Sequence, residues 1–159
     1  FVTGCHPTDI GMIFCADPKS ITGLKLAGID FASLANNHTN DQGQKGIDET
    51  IKILKDNNII PVGARRDSPA FITTKNTKLA MISFSDLPQM DDKEIKRQIS
   101  EATPSADLII TTFHWGAEYQ RNPTTRQVFL AHLAAMSRLG KGNAGQFAHR
   151  GQSSGQSGQ

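Results

Sequence analysis

Apolar and polar residues recur along the chain with the periods of short strands and amphipathic helices. In residues 43–57, Ile47, Ile51 and Leu54 stand at i, i+4 and i+7, which predicts an amphipathic helix with its charged residues in water. The runs "DFASLAN" before this helix and "NIIPVG" after it predict strands, the first of them buried. Strand, helix and strand in this order form a βαβ unit, whose two strands should be parallel.

The pattern continues with strands and helices after this unit. The segment "AFITTKNTKLAMISFS" predicts a hairpin whose turn contains Asn76. A charged helix follows over residues 91–102, then "ADLIITTFHWG" as a buried strand, then a helix that starts from Asn122 and Pro123. These elements predict an α/β fold that has a mixed sheet with flanking helices, one βαβ unit and one hairpin.

The two ends of the chain are less regular. The opening residues show no clear period until Asp17 and Pro18, which are typical of the N-cap and first position of a helix. Cys5 and Cys15 either pair across a short loop or stay as two thiols, and the sequence leaves both readings open. From Met136 the composition turns to Gly, Ser and Gln, so we expect a folded domain over residues 1–135 and a disordered tail over residues 136–159.

Composition favours a single globular domain over a nucleic-acid-binding or membrane-spanning protein. With 159 residues, 37% hydrophobic and 20% charged, the chain suits one compact domain. The net charge of +2 gives no sign of a nucleic-acid groove, and the tail lacks the repeated aromatic residues that stack on bases. No apolar run reaches the roughly 18 residues that a membrane span needs.

Polar side chains follow two of the predicted strands. Asn37, His38 and Asp41 come after the first strand, and His114 ends a later one. Because ligands of open α/β sheets gather at the carboxyl ends of parallel strands, we expect Asn37, His38 and His114 to converge at one edge of the sheet. Imidazole nitrogens and amide oxygens bind zinc, manganese or iron, and a histidine that binds no metal can protonate a leaving group.

Each of these residues also has a purely structural explanation. His38 would serve a loop equally well by bridging its carbonyl groups. Asp41 is typical of a turn or of the cap of the helix that begins near Gly43. Glu118 would orient His114 through a hydrogen bond, and His132 is predicted to be a partly buried packing residue.

Three segments together carry a resemblance to a known family. "GIDFASLANNHTNDQGQKGIDETIKIL", "IIPVGA" and "TTFHWGAEYQRNPTTRQ" resemble the central part of the poly-gamma-glutamate capsule biosynthesis (CapA-type) family, related to the calcineurin-like metallophosphoesterases. The resemblance covers roughly residues 20–135 and implies part of a metallophosphoesterase-like sandwich. It implies a divalent metal ion (Mn, Zn or Fe) with Asn37 and His114 as ligands, and His38 as the catalytic imidazole. The residues expected to line the substrate pocket are Trp115, Glu118 and Tyr119.

Two functions agree with this resemblance. One is a metal-dependent hydrolase that acts on a phosphoester or on an anionic polymer such as polyglutamate. The other is a non-catalytic surface protein that binds or guides such a polymer during capsule assembly. Either reading implies membrane proteins of capsule assembly as partners, no nucleic acid, and a cell-surface or membrane-anchored location.

The sequence also departs from the family pattern. A Gly-Asp motif after a first strand, an Asn-Glu motif and a late Gly-His-x-Pro-His loop are expected in the family, and the chain contains none of them. We therefore expect a central fragment with an aberrant C-terminal tail. Such a fragment should bind metal weakly and be inactive alone.

Overall fold

Strands and helices alternate along the chain, as the sequence predicts. The computed structural model describes residues 1–6, 8, 11–64, 69–116 and 119–139. Its elements, in chain order, are a 3₁₀ turn (Pro18–Ser20), α1 (Ile21–Leu26), β1 (Phe31–Ser33), α2 (Gly43–Asp56), β2 (Ile60–Val62), β3 (Ala70–Thr74), β4 (Thr77–Ser85), α3 (Asp92–Ala102), a second 3₁₀ turn (Thr103–Ser105), β5 (Leu108–His114) and α4 (Thr125–Leu139). Among the helices so described, none is both long and apolar enough to span a membrane.

The first half of the fold is the predicted βαβ unit. β1 and β2 are parallel, in a register that runs from Phe31 opposite Ile60 to Ser33 opposite Val62. α2 connects them and turns Ile47 and Leu54 inward, because these two side chains lie on its apolar face. Leu54 packs with Ile21 of α1 and Ile59 in a small core on this side of the molecule.

The second half contains the predicted hairpin within a three-stranded sheet of order β3-β4-β5. β3 and β4 are antiparallel, whereas β4 and β5 are parallel, so this sheet is mixed. Lys75 and Asn76 form the hairpin turn with φ of 46° and 63°. Two successive residues with positive φ match the twist of a tight hairpin, and asparagine adopts this conformation more readily than most residues. The architecture as a whole is the partial metallophosphoesterase-like α/β fold that the sequence predicts.

The prediction that β5 is a buried strand is wrong. Residues of β5 alternate between half-buried and exposed, with Leu108 47% and Ile110 37% exposed. The alternation arises because α3 and α4 cover only one face of the sheet, while β5 lies at its edge. The main core on the covered face consists of Ala80, Ile82, Phe84, Ile95, Ile99, Ala102, Leu130 and Ala134.

α4 differs from its prediction in two respects. It begins at Thr125 and continues to Leu139, four residues beyond the domain boundary placed at residue 135, while residues 140–159 lie outside the described residues. His132 is exposed, which corrects the prediction of a partly buried residue. Leu130 and Ala134 face the core, and a residue midway between them points to the opposite side of a helix.

The two sheets approach each other closely at Gly63, directly after β2. Gly63 has a φ of 77°, and a Cβ atom there would lie 2.7 Å from the Ala35 Cβ and 2.8 Å from the carbonyl oxygen of Ser83. Any larger residue would push the sheets apart, since that contact is with backbone. This approach places the carboxyl ends of β1, β2 and β4 side by side.

Candidate functional site

The loop after β1 is a series of tight turns that fixes its own side chains. The backbone N–H of His38 donates to Asn36 Oδ1 at 2.8 Å, and the backbone N–H of Asp41 donates to the His38 carbonyl at 3.1 Å. The hydroxyl of Thr39 donates to the carbonyl of Leu34. The loop is attached to the sheet because Leu34 N–H donates to the Val62 carbonyl at 2.8 Å. Short polar residues make such local bonds readily, which explains the Asn- and Asp-rich sequence.

The ring of His38 is bonded on both of its nitrogen atoms. Nδ1 lies 3.0 Å from Asp41 Oδ2, and Nε2 lies 3.3 Å from Asn37 Nδ2. The neutral tautomer with the proton on Nδ1 satisfies both bonds, since Nδ1–H donates to the carboxylate and Nε2 accepts from the amide. The pKa of Asp41 is lowered, first by the backbone N–H of Phe14 and then by the bond from His38.

His114 reaches the same loop from the far end of β5. Its Nε2 lies 2.9 Å from Asn37 Oδ1, across 77 residues of sequence. The Asn37 amide therefore accepts a hydrogen bond from one imidazole and donates to the other. Asp41, His38, Asn37 and His114 form one hydrogen-bonded row, which we call the imidazole row. The predicted convergence of Asn37, His38 and His114 is confirmed, whereas their chemical roles stay predictions.

Of the three residues predicted to line a substrate pocket, the structure describes Trp115 and Tyr119, and these two lie in different surroundings. Trp115 is half-buried and stacks on Phe113 with ring centroids 4.4 Å apart, which ties it to the main core. Tyr119 is 98% exposed and has a φ of 62°. Glu118 lies outside the described residues. Their assignment to substrate binding remains a prediction.

The loop after β1 separates two cavities. A crevice of about 670 Å³ lies at the carboxyl ends of β1, β2 and β4, against the first half of α3. A second cavity of about 310 Å³ lies on the other side of the loop and is lined in part by His38. Asn36 and Thr39 line both cavities. A crevice at the carboxyl ends of strands is where open α/β sheets bind ligands.

A cluster of ion pairs supports the end of β5 that presents His114. The backbone N–H of Asp86 donates to the His114 carbonyl at 3.0 Å. The Asp86 carboxylate accepts from the Arg126 guanidinium at 3.0 and 3.1 Å, and Arg126 also donates to Asp92 at 2.6 Å. These bonds lower the pKa of Asp86 and raise that of Arg126. They connect α4 and α3 to the loop beside the site.

Sequence reasoning missed two residues of this arrangement. Asp41 appeared to be a turn or helix cap, but its carboxylate binds His38 and the Phe14 amide, and α2 has no side-chain cap. The His-x-x-Asp spacing was the available signal, because residues three apart meet in a tight turn. Phe14 gave no signal, since it stands in a segment without period. Its ring meets the His38 ring edge-on with centroids 4.5 Å apart.

The described residues do not form a complete metal site. Two imidazole nitrogens and one amide oxygen converge, and these are suitable donors for zinc, manganese or iron. A catalytic ion needs about three protein ligands, commonly histidines, cysteines or carboxylates. Within the described ranges, no group of three or more His, Cys, Asp or Glu residues is placed to hold an ion.

Comparison with known proteins agrees with the resemblance seen in the sequence. Residues 2–138 match the family described as bacterial capsule synthesis protein PGA_cap. The chain is 30% identical to the capsule biosynthesis protein CapA of Bacillus anthracis, over an alignment that covers 73% of this chain and 34% of that protein. It is 28% identical to the PGA biosynthesis protein CapA of Bacillus subtilis, with 77% and 37% covered. The chain thus spans about a third of the length of these curated relatives, and it belongs to the bacterial capsule synthesis protein PGA_cap family.

Proposed function

We propose that this chain supplies the proton donor and part of the anion-binding surface of a hydrolase-like site in a capsule biosynthesis protein. The substrate class is an anionic polymer, poly-gamma-glutamate, or a phosphoester. The observation that carries the proposal is the imidazole row, in which Asn37 joins His38 and His114 at the carboxyl ends of β1 and β5. Family membership and the names of the relatives support the link to capsule synthesis.

His38 is the group that we assign to proton transfer. Asp41 accepts the bond from Nδ1 and stabilises the ring when it carries both protons, which leaves Nε2 as the atom that exchanges a proton with substrate. In that doubly protonated state, Nε2–H and the Asn37 amide N–H are both donors and repel each other. The ring then favours an anionic oxygen of the substrate over Asn37.

Asn37 and His114 are the residues that we assign to binding. The Asn37 amide N–H and the imidazole of His114 are hydrogen-bond donors suited to carboxylate or phosphate oxygens. We propose the same two residues as this chain's contribution to a divalent site for Mn, Zn or Fe, with the remaining ligands supplied by other parts of a longer protein. Such an ion would supply Lewis-acid chemistry to the hydrolase.

The second candidate function is a non-catalytic protein that binds or guides the polymer. It is favoured by the incomplete ligand set, since no group of three or more potential ligands converges among the described residues. The same donors would then recognise carboxylates without cleaving the chain. For either function we propose a cell-surface location, with membrane proteins of capsule assembly as partners and without nucleic acid.

Binding of poly-gamma-glutamate to this chain tests the shared part of both functions. We expect titration calorimetry to show binding that weakens at least several-fold in Asn37→Ala and His114→Ala. His132→Ala is the matched control, because it removes an exposed histidine of α4 that is outside the imidazole row. Unchanged binding in both site variants would overturn the proposal.

Turnover separates the two candidates. In a protein of the relatives' length that carries this chain, the hydrolase reading predicts polymer shortening or phosphodiester cleavage that His38→Gln slows strongly. The binding reading predicts polymer bound at the same residues and never shortened. Size-exclusion chromatography of the polymer after incubation measures the difference.

A further inference from the structure

Phe14, in the segment before α1, contacts the site loop through two hydrogen bonds and its ring. Its backbone N–H donates to Asp41 Oδ2 at 2.8 Å, and its carbonyl accepts from the side chain of Gln42 at 3.2 Å. Its ring meets the His38 ring edge-on, with centroids 4.5 Å apart and planes at 71°. Phe14 therefore touches the imidazole, the carboxylate that binds the imidazole, and the residue that follows the carboxylate.

The same carboxylate oxygen receives both hydrogen bonds. Asp41 Oδ2 accepts from the Phe14 amide and from His38 Nδ1, so the amide fixes the atom that in turn fixes the ring. The edge-on ring contact further restricts rotation of the imidazole. Together these two contacts define one orientation of His38.

Burial does not hold Phe14 in this position, because the residue is 54% exposed. The segment is held instead by a disulfide bond between Cys5 and Cys15, which settles the question that the sequence left open. Cys15 is the direct neighbour of Phe14, and the Val2 N–H donates to the carbonyl of Ala16 at 2.9 Å. A covalent link beside a residue limits the positions that its backbone can take.

We propose that Phe14, anchored by the Cys5–Cys15 disulfide, is a positioning residue that sets the orientation of His38 through Asp41. The importance of that orientation rests on the proposed function. The orientation itself is a property of the folded chain and is measurable without substrate. The disulfide-closed segment is thus part of the site, although it contributes no group to the imidazole row.

Nuclear magnetic resonance of the full chain tests this assignment. In Phe14→Leu we expect the ring protons of His38 to lose the shift caused by the neighbouring aromatic ring, while Phe14→Tyr retains it. In the double variant Cys5→Ala/Cys15→Ala we expect the Phe14 amide to exchange with solvent about tenfold faster or more, because its hydrogen bond to Asp41 opens more often. Phe129→Leu is the matched control, since Phe129 is an exposed phenylalanine on α4.

Unchanged His38 signals in Phe14→Leu, or unchanged Phe14 exchange in the cysteine variant, would overturn the assignment. Amide signals of β4 and α3 show in the same spectra that each variant is folded. Polymer binding by Asn37→Ala and His114→Ala distinguishes the two proposals. If Phe14→Leu displaces His38 while Asn37→Ala and His114→Ala bind the polymer as the wild type does, the positioning role stands and the proposed function fails.

Discussion

The two histidines of the imidazole row are held by different parts of the molecule. His38 is half-buried and is fixed by residues of its own loop and by Phe14. His114 is exposed, and its position depends on the register of β5 against β4 and on the Asp86–Arg126 ion pair. The position of His38 therefore depends on residues that are close to it in space within the loop and at Phe14. The position of His114 depends on the packing of elements that are distant in sequence. Substitutions in α3 and α4 should therefore disturb His114 and leave His38 in place.

The largest effect should come from the main core beneath β5. Leu130→Ala removes a side chain that is fully buried between α4 and the sheet, so we expect the free energy of unfolding to fall by about 2–5 kcal/mol. Urea denaturation measures this loss, and Val128→Ala on the exposed side of α4 is the control. A loss below about 1 kcal/mol would show that α4 does not pack on the sheet as described.

The next largest effect should come from the ion pairs that support His114. Arg126→Met removes the hydrogen bonds to Asp86 and Asp92, and we expect a loss of about 1–3 kcal/mol in the free energy of unfolding. The exposed Lys52–Asp56 pair of α2 is the control, because Lys52→Met should cost less than about 0.5 kcal/mol. The His114 signals should shift in Arg126→Met while those of His38 stay unchanged. Equal shifts of both rings would contradict the separation of the two regions.

Acid should remove the contribution of the Asp86–Arg126 ion pair to the free energy of unfolding. Arg126 keeps the pKa of Asp86 below its ordinary value, so the carboxylate stabilises the fold above the unfolded-state pKa of about 3.9. That stabilisation is lost as the pH falls through the lower folded-state pKa. Urea denaturation at about pH 6 and about pH 3 should therefore show the difference between wild type and Arg126→Met becoming smaller in acid. A difference that stays constant would exclude Asp86 as the main partner.

Local signals predicted the elements of the fold but not their exposure. The apolar face of α2, the charged helix over residues 91–102 and the Asn76 turn of the hairpin each depend on a few neighbouring residues, and the structure confirms them. The exposure of β5 was not predicted, because the sequence of an apolar strand does not show whether one face or both faces are covered. Which face of β5 is covered depends on where α3 and α4 pack, and no short segment of sequence determines this.

In the site, too, residues marked by local features of the sequence were predicted, and the contact with a distant segment without periodicity was not. Asn37, His38 and His114 were predicted because polar residues at the ends of apolar strands are visible in the sequence, and the topology brings them together. Phe14 was not found, since its contact with His38 depends on the path of a segment without periodicity. The hydrogen bond between Asp41 and His38 joins two residues of the same loop, but it was not predicted because aspartate before a helix is more commonly a cap.

The smallest effect on stability should come from the imidazole row itself. His114→Gln changes an exposed side chain and should alter the free energy of unfolding by less than about 0.5 kcal/mol. His38→Gln changes a half-buried side chain that is bonded to Asp41, and should cost about 1 kcal/mol. In a protein of the relatives' length that carries this chain, the proposed roles predict that His114→Gln weakens metal binding and that His38→Gln mainly slows turnover. Equal loss of metal in both variants would reverse the assigned roles.

Metal titration of this chain tests the central claim most directly, namely that the imidazole row is one part of a site and not a complete metal centre. Calorimetry with zinc and with manganese should show weak binding, because the described residues bring together no three histidine, cysteine or carboxylate ligands. A phosphodiester assay on the same samples should show no turnover. Tight binding of one ion per chain, together with metal-dependent cleavage, would contradict the account.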